Sequence, residues 1–481
     1  MNLRVVSRLT GLLIGIVAAL LLAPTALGIY DQQPRTALAY ASAMALAVML
    51  TLWLRWLGRD AGDEIHRKDA LGVVAVTWLG LGLVGGLPFV VEGSIADPAS
   101  ALFEAVSGFT TTGATVVGDV DGLSRATNLW RCLMHWIGGM GIVVLFVAVF
   151  PQLGVGAKLL FRSEVPGPIT EGLRPKIKQT AMALWWIYGG LTLIAALALL
   201  AAGMPLYDAV CHSMTTLATG GYSSKGASIG AYQSAAIDWI IIGFMLIAGL
   251  NFGLYFGLLR GRWTAFWRNF ELRFYLLVNV SVIALLTFAI RGGHDDILES
   301  IRHATFQTLA VTTTTGLMTE DFDTYPNVAR FALFCCMFMG GCAGSTAGGM
   351  KASRVYVVLK VIALELSSLV RPHAVRPVRV GRSTLAPDTV RSIITFFAAY
   401  LVLFMAASFY LVALDLDFVS AMSAAVACLS SVGPGLAEVG PTQNFGFVPA
   451  SGKIVLSMCM IAGRLEIFAL LAIFSRETWR A

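Results

Sequence analysis

Four short stretches gather hydroxyl and glycine residues inside an otherwise apolar chain: SGFTTTGATV at 107–116, TLATGGYS at 216–223, VTTTTGL at 311–317 and LSSVGPGL at 429–436. What threonine, serine and glycine offer together is oxygen, both as hydroxyls and as main-chain carbonyls released from regular helix. Oxygens aimed at one axis replace the hydration shell of a small cation. Glycine suits such a loop because it reaches positive φ and permits close approach, which a β-carbon obstructs. The chemistry expected is ion coordination, built four times over. No nucleophile with its base, metal-ligand set or acid–base pair accompanies these stretches, so no enzymatic reaction is expected.

The elements that position them follow from composition. The chain has 481 residues, 57% of them hydrophobic and 13% charged, with mean hydropathy +0.76. Soluble domains carry about a quarter charged residues, so this chain belongs in a bilayer. Apolar runs long enough to cross it lie near 9–29, 37–57, 70–91, 127–150, 180–203, 236–259, 271–290, 328–362, 392–414 and 452–474. Each polar stretch falls between two spans and follows an amphipathic segment too short to cross, at 98–109, 205–216, 297–310 and 417–429. Such a segment reads as a half-helix that enters and turns back. Non-helical backbone at membrane depth is tolerated only where protein buries it or water lines it. Half-helices entering from outside also aim their carbonyl ends at mid-membrane, which favours a cation there.

The fold class expected is therefore an all-α polytopic membrane protein. Four pseudo-symmetric repeats of span, half-helix, loop and span (70–157, 176–262, 271–370 and 388–481) surround one pore, after an N-terminal helix pair at 1–69. The N-terminal MNLRVVSRLTGLLIGIVAALLLAPTALG has the make-up of a secretory signal, but the further spans behind it favour a retained first helix. An even number of crossings puts both termini on one side. Most of the 34 Lys and Arg fall on that side and most of the 28 acids on the other, which makes both termini cytoplasmic. An acidic outer mouth concentrates cations within a screening length of about 8–10 Å. The net charge of +6 thus reflects topology and implies no nucleic-acid partner. The basic segment at 371–391 fits a topology signal, or a contact with anionic lipid or a cytosolic partner. The seven cysteines form no CxxC pair and the six histidines no HExxH, so neither type is expected to build a metal site.

The segment MGGCAGSTAGGMK at 339–351 is rich in glycine inside a span, and each glycine disfavours helix by about 1 kcal/mol. Two readings fit. In one, Gly340, Gly341, Gly344, Ser345, Thr346, Gly348, Gly349 and Lys351 form a broken-helix loop that blocks the pore beneath the oxygens. In the other, Gly340, Gly344 and Gly348 make a GxxxGxxxG packing face. A nucleotide P-loop is excluded, since Met350 stands where lysine is needed. Arg464, in MIAGRLEIFAL, is expected to be the one basic residue well inside a span, which costs roughly 2.5–3.5 kcal/mol and demands a partner or water. It fits a positive barrier or a latch for the glycine loop, or else a structural pair with a carbonyl or carboxylate. Glu466, two residues on, should point elsewhere, and Lys351 is placed to snorkel toward the inner face.

Together, SGFTTTGATV, TTLATGGYSS, TTTTGLMT, MGGCAGSTAGGMK and SSVGPGLAEVGP resemble the TrkH/KtrB superfamily of potassium transporters, from about residue 70 to the C-terminus. The extra pair at 9–57 is more similar to TrkH. The resemblance implies potassium uptake across the bacterial inner membrane through a gated, channel-like pore held in one subunit. It also implies a homodimer and a cytosolic TrkA-type ring that binds nucleotide, with no organic cofactor on this chain. The filter glycines would be Gly113, Gly220, Gly316 and Gly433, with neighbouring carbonyls from Thr112, Thr219, Thr315 and Val432, and with Thr111, Gly221 and Ser431 completing the lining. Sodium-favouring relatives carry serine at the first of these glycines, so four glycines imply potassium selectivity. The resemblance also favours the gate reading of 339–351. An alternative, a proton- or sodium-coupled symporter of a small solute, calls for inverted repeats and a side-chain binding cluster at the midplane. The repeats here read as parallel. A monovalent cation gains about 2.3 kcal/mol per 100 mV, enough for a roughly 40- to 50-fold inward gradient without coupling.

Overall fold

In this computed structural model, residues 1–62, 66–149, 174–294, 296–370, 377–381, 383–468 and 470–471 are described; the segment 150–173, part of the basic stretch 371–391, and the tail 472–481 lie outside them. Among the described residues the regular structure is helical apart from a two-residue antiparallel pairing, Arg379–Val380 with Ser383–Thr384. Helices α1 (Leu3–Leu20) and α2 (Leu22–Tyr30) form one span, which packs on α3 (Pro34–Leu57). Proline at the start of α3 costs nothing, because the first helical N–H has no partner to lose.

Four repeats follow. The first comprises α4 (Arg67–Glu92), the half-helix α5 (Pro98–Phe109) and α6 (Arg125–Val149). The second has α7 (Arg174–Ala201), half-helix α8 (Leu206–Ala218), and the pair α9 (Ala235–Gly249) and α10 (Phe252–Leu259). A short α11 (Trp263–Trp267) leads to the third, with α12 (Phe270–Ile290), half-helix α13 (Ile297–Thr312), α14 (Asn327–Met339) and α15 (Ala352–Val370). The fourth has α16 (Pro387–Val412), half-helix α17 (Phe418–Ser430) and α18 (Ala450–Arg464). Three half-helices begin at an aspartate, Asp97, Asp296 or Asp417, whose carboxylate accepts a free N–H of the first turn.

The repeats close on one another. The second helix of each packs against the half-helix of the next: α6 on α8, α9 on α13, α14 on α17, and α18 back on α5. Glycines permit this approach. A β-carbon on Gly139 of α6 would fall 2.8 Å from the Ala218 α-carbon of α8. Within repeats 1 and 4, one on Gly138 or Gly463 would fall 2.0 or 1.8 Å from the Phe109 or Leu429 carbonyl oxygen.

Three of the expected spans are broken, the third of them where the glycine-rich loop was one of the two readings. The segment 236–259 bends by 94° between α9 and α10. Asn251 caps the new helix by accepting from the Gly253 N–H at 2.7 Å, and the freed Gly249 carbonyl accepts from the Cys342 N–H at 2.9 Å. The span at 452–474 stops at Arg464, where Glu466 and Ile467 take φ of +56° and +60°. The span at 328–362 opens at 340–351, with Gly340, Gly344 and Gly349 at positive φ. The GxxxGxxxG helix face therefore does not form. Large side chains left exposed, such as Trp186 and Phe409, face outward, as a lipid-embedded surface requires.

A carbonyl collar and the loop beneath it

Each half-helix ends in the same way. Thr111, Thr219, Thr314 and Ser431 take a left-handed conformation, with φ of 55°, 53°, 56° and 57°. The next residue then donates its N–H to the carbonyl five residues back: Thr112 to Ser107, Gly220 to Thr215, Thr315 to Ala310 and Val432 to Ala427, all at 2.8–2.9 Å. This is a Schellman termination, normally the place of glycine. A left-handed conformation costs a non-glycine residue roughly 1–2 kcal/mol. All four hold it with buried side chains, so the surrounding structure imposes it. The chain then turns through Gly113, Gly221, Gly316 and Gly433 at φ of 80°, 86°, 70° and 98°.

That pattern corrects the register expected for the second repeat. Gly221, not Gly220, occupies the column of Gly113, Gly316 and Gly433. Gly220 stands with Thr112, Thr315 and Val432, and Thr219 with Thr111, Thr314 and Ser431. The two adjacent glycines are interchangeable in composition; only the backbone distinguishes them.

The four loops form a ring. A β-carbon on Gly113 would meet the Gly220 carbonyl oxygen at 2.1 Å; one on Gly221 would meet that of Thr315 at 2.2 Å. From Gly316 the contact is to Val432 at 2.2 Å, and from Gly433 it returns to Thr112 at 2.6 Å. The order is therefore 1-2-3-4-1, and each glycine exists to let the next carbonyl in. The Thr112 and Thr315 hydroxyls bond to those of Thr110 and Thr313, at 2.8 and 2.7 Å. Those bonds hold the two hydroxyls within their own loops. Repeats 1 and 3 share this arrangement across the ring, whereas Gly220 and Val432 have no hydroxyl to contribute.

Behind the first two loops lies a support that the sequence analysis did not identify. The Glu104 carboxylate accepts from Arg131 Nε at 2.9 Å, from the Thr115 hydroxyl at 3.0 Å and from the Val116 N–H at 2.9 Å. The Arg131 guanidinium lies 4.0 Å over the Tyr222 ring, and Tyr222 donates its hydroxyl to the Glu104 carbonyl at 2.9 Å. Glu104 and Arg131 are 0% and 1% exposed. Arg464 is thus not the lone buried base: Arg131 is enclosed, and Lys453 donates to the Ser100 hydroxyl at 2.8 Å. The available signal was Glu104 itself, the one charged residue of PASALFEAVSGF.

The loop 340–351 sits directly under the collar. Gly348 N–H donates to the Thr314 hydroxyl at 2.7 Å, and a β-carbon on Gly348 would fall 2.1 Å from the Ser430 carbonyl oxygen. The Thr346 hydroxyl donates to the Leu217 carbonyl at 3.0 Å, so the loop touches three of the four half-helix ends. Ser345 bonds within the loop, its hydroxyl reaching the Cys342 carbonyl at 2.6 Å. Gly341 leaves room for Ala347, whose β-carbon lies 2.6 Å from where one on Gly341 would stand, and Gly344 sits against the Asn251 side chain. Glu271 anchors both ends by accepting from the Ala343 and Ser353 N–H groups at 2.7 and 3.1 Å. Lys351 turns back onto the Ala347 carbonyl instead of extending along the helix. Arg464 donates to the Thr346 carbonyl at 2.8 Å through one nitrogen, and to the Gly138 carbonyl at 2.8 Å through another. It clips the loop to the first repeat. Glu466 does point away from it, and pairs with Arg354 at 2.6 Å.

Four re-entrant half-helices converging on a carbonyl collar, with a loop across the axis, define a multi-pass helical membrane protein built around an ion path. Comparison with known proteins is consistent with this class. Residues 37–479 match the TrkH family, described as cation transport proteins, and the chain belongs to that family. The Trk system potassium uptake protein TrkH of Halomonas elongata is 38% identical over 484 residues, covering all of both chains. The protein of the same name from Escherichia coli K12 is 38% identical over 486 residues, again end to end. The crystal structure of the potassium transporter TrkH from Vibrio parahaemolyticus superposes with a TM-score of 0.90 at 34% identity over the whole of each chain.

Proposed function

We propose that this chain carries potassium ions, and rubidium with them, inward across the bacterial inner membrane through the collar. The carbonyls of Thr112, Gly220, Thr315 and Val432 take the place of water around the dehydrated ion. Thr111, Thr219, Thr314 and Ser431, with Gly113, Gly221, Gly316 and Gly433, hold those carbonyls in position. The observation that carries this reading is the closure of the ring, in which each loop glycine admits the equivalent carbonyl of the next repeat. The half-helix C-termini add partial negative charge on the same axis, where a cation is stabilised. The names of the relatives support potassium as the cargo.

The loop 340–351 acts as the gate and Arg464 as its latch. Opening requires the loop to leave Leu217, Thr314 and Ser430, so a force applied to α14 or α15 moves it. That force comes from a nucleotide-binding cytosolic ring of the TrkA type acting on a homodimer, with both termini cytoplasmic. The "Trk system" in the relatives' names supports a multi-component machine. Uncoupled, electrophoretic flow is preferred over symport, because the buried carboxylates Glu104 and Glu271, like Asp69, Asp208 and Asp238, are already engaged by main-chain or side-chain partners. The test is rubidium flux into proteoliposomes, with sodium as competitor and with or without the cytosolic ring. Flux that is blocked by potassium and raised by the ring is the expected result. Transport of an organic solute with no rubidium flux overturns it.

A further inference from the structure

The histidines scattered in sequence are not all scattered in space. His294, just beyond α12, and His303, on half-helix α13, stack with ring centroids 5.1 Å apart. Glu320, on the limb leaving the third loop of the collar, reaches both: its Oε2 is 3.1 Å from His294 Nε2 and 3.7 Å from His303 Nδ1. One nitrogen from each ring and one carboxylate oxygen lie within 4.8 Å of one another. His294 and Glu320 are half-buried and His303 is buried. We propose that His294, His303 and Glu320 form a binding site for a first-row divalent ion of the Zn²⁺ class.

The hydrogen-bond inventory argues for a cation between them. His294 Nδ1 lies 3.2 Å from the Ile290 carbonyl, which can only accept, while Nε2 faces the Glu320 carboxylate, which also accepts when ionised. A neutral imidazole has one N–H and cannot serve both. With Nδ1–H given to Ile290, the Nε2 lone pair is left aimed at a carboxylate, an arrangement that a metal ion or a second proton completes. The Nδ1–H to carbonyl bond is also the usual outer support that orients a metal-binding histidine. His303 can present Nδ1, which now bonds the Thr319 hydroxyl at 2.9 Å, once its proton sits on Nε2. As it stands Nε2 accepts from Arg302 at 3.2 Å, so this tautomer requires Arg302 to release it and keep Asp238 and Glu299 as partners, with the Nε2–H turned toward the Glu299 carboxylate 3.9 Å away. Tyr325 donates to the other Glu320 oxygen and leaves Oε2 for the ion.

Two imidazoles and one carboxylate with an open position is a set zinc accepts, with ligand distances of about 2.0–2.2 Å. Tetrahedral donors at that distance stand roughly 3.3 Å apart. His294 and Glu320, at 3.1 Å, are close to that spacing. His303 Nδ1, at 3.7 Å from Glu320 Oε2, must draw in, and its ring must turn out of the stack on His294 to aim its lone pair at the same point. The site joins three elements of repeat 3: the end of α12, the half-helix, and the limb beyond the collar. Magnesium and calcium prefer oxygen sets and should not compete.

The experiment uses the full chain, purified in detergent and stripped by chelator, titrated with ZnCl₂ by calorimetry in excess potassium and magnesium. One saturable Zn²⁺ per chain is expected, with a rise in melting temperature on saturation. His294→Ala, His303→Asn and Glu320→Gln should each weaken binding about tenfold or more. His294→Cys should restore it, since a thiolate also ligates zinc. That rescue separates loss of a ligand from loss of the fold. Absence of one-per-chain binding in the parent protein, or undiminished binding in all three variants, overturns the site and leaves a protonated His294 as the partner of Glu320.

Discussion

Replacing Gly113 by serine puts a β-carbon 2.1 Å from the Gly220 carbonyl oxygen, where an ordinary carbon–oxygen approach is about 3.3 Å or more. Something must move by about 1 Å. Gly113 also holds φ at 80°, and a left-handed conformation costs a side-chain-bearing residue roughly 1–2 kcal/mol. Both strains relax together if the Gly113 peptide and the Gly220 carbonyl swing away from each other, which deforms one of the four collar oxygens. If that deformation removes about 1–2 kcal/mol of preference for the larger ion, the potassium-to-sodium ratio falls roughly 5- to 30-fold. Rubidium and sodium fluxes measured side by side in proteoliposomes read this directly. Gly243→Ala is the control, because a β-carbon there meets nothing within 4 Å. A flux ratio for Gly113→Ser within about twofold of the parent, in protein that remains folded, would refute the placement of the Gly220 carbonyl on the ion path. Gly221→Ser should behave like Gly113→Ser, since its β-carbon would crowd the Thr315 carbonyl in the same way.

Four further outcomes follow from the same geometry. Arg464→Gln removes charge-assisted bonds to the Thr346 and Gly138 carbonyls, each worth about 1.5–3 kcal/mol, so rubidium leak without the cytosolic ring should rise at least tenfold. Deleting 341–348 should raise it further; a leak that stays at the parent level in both removes the loop from the gate. Thr314→Val leaves the buried Gly348 N–H without its acceptor, at a cost of about 1–3 kcal/mol to the closed loop, and should raise basal flux while the potassium preference holds. Glu104→Gln should lower stability by about 3–5 kcal/mol, because Arg131 is left as an uncompensated buried charge. Pairing it with Arg131→Met should recover part of that loss in a detergent melting assay; a double variant no better than the single one counts against the pair.

The half-helices were legible because their cause is local. Each is short and amphipathic, and Asp97, Asp296 and Asp417 stand where a helix start needs an acceptor. The breaks were less so. Asn251 between Gly249 and Gly253 is a capping signal, but a single one inside a long apolar run, and it turns the chain because the glycine loop supplies Cys342 N–H and the Gly344 carbonyl as partners for the opened backbone. The loop itself was visible as a run of glycines, but its alternatives, packing face or plug, differ only in what lies beside it.

What the sequence by itself determined is the set of things that depend on neighbours along the chain: membrane residence from apolar length, a fourfold repetition of Thr, Ser and Gly loops, and a weak helix at 340–349. The tertiary structure decided what depends on neighbours across space. It assigned Gly221 to the glycine column, because TGG carries two glycines and only φ separates them. It placed Arg464 on the Thr346 carbonyl and gave Glu466 to Arg354. It also set Arg131 against Glu104, and two distant histidines against Glu320. A buried polar group must find its partner wherever the fold brings one, and that distance is not written in the spacing of residues.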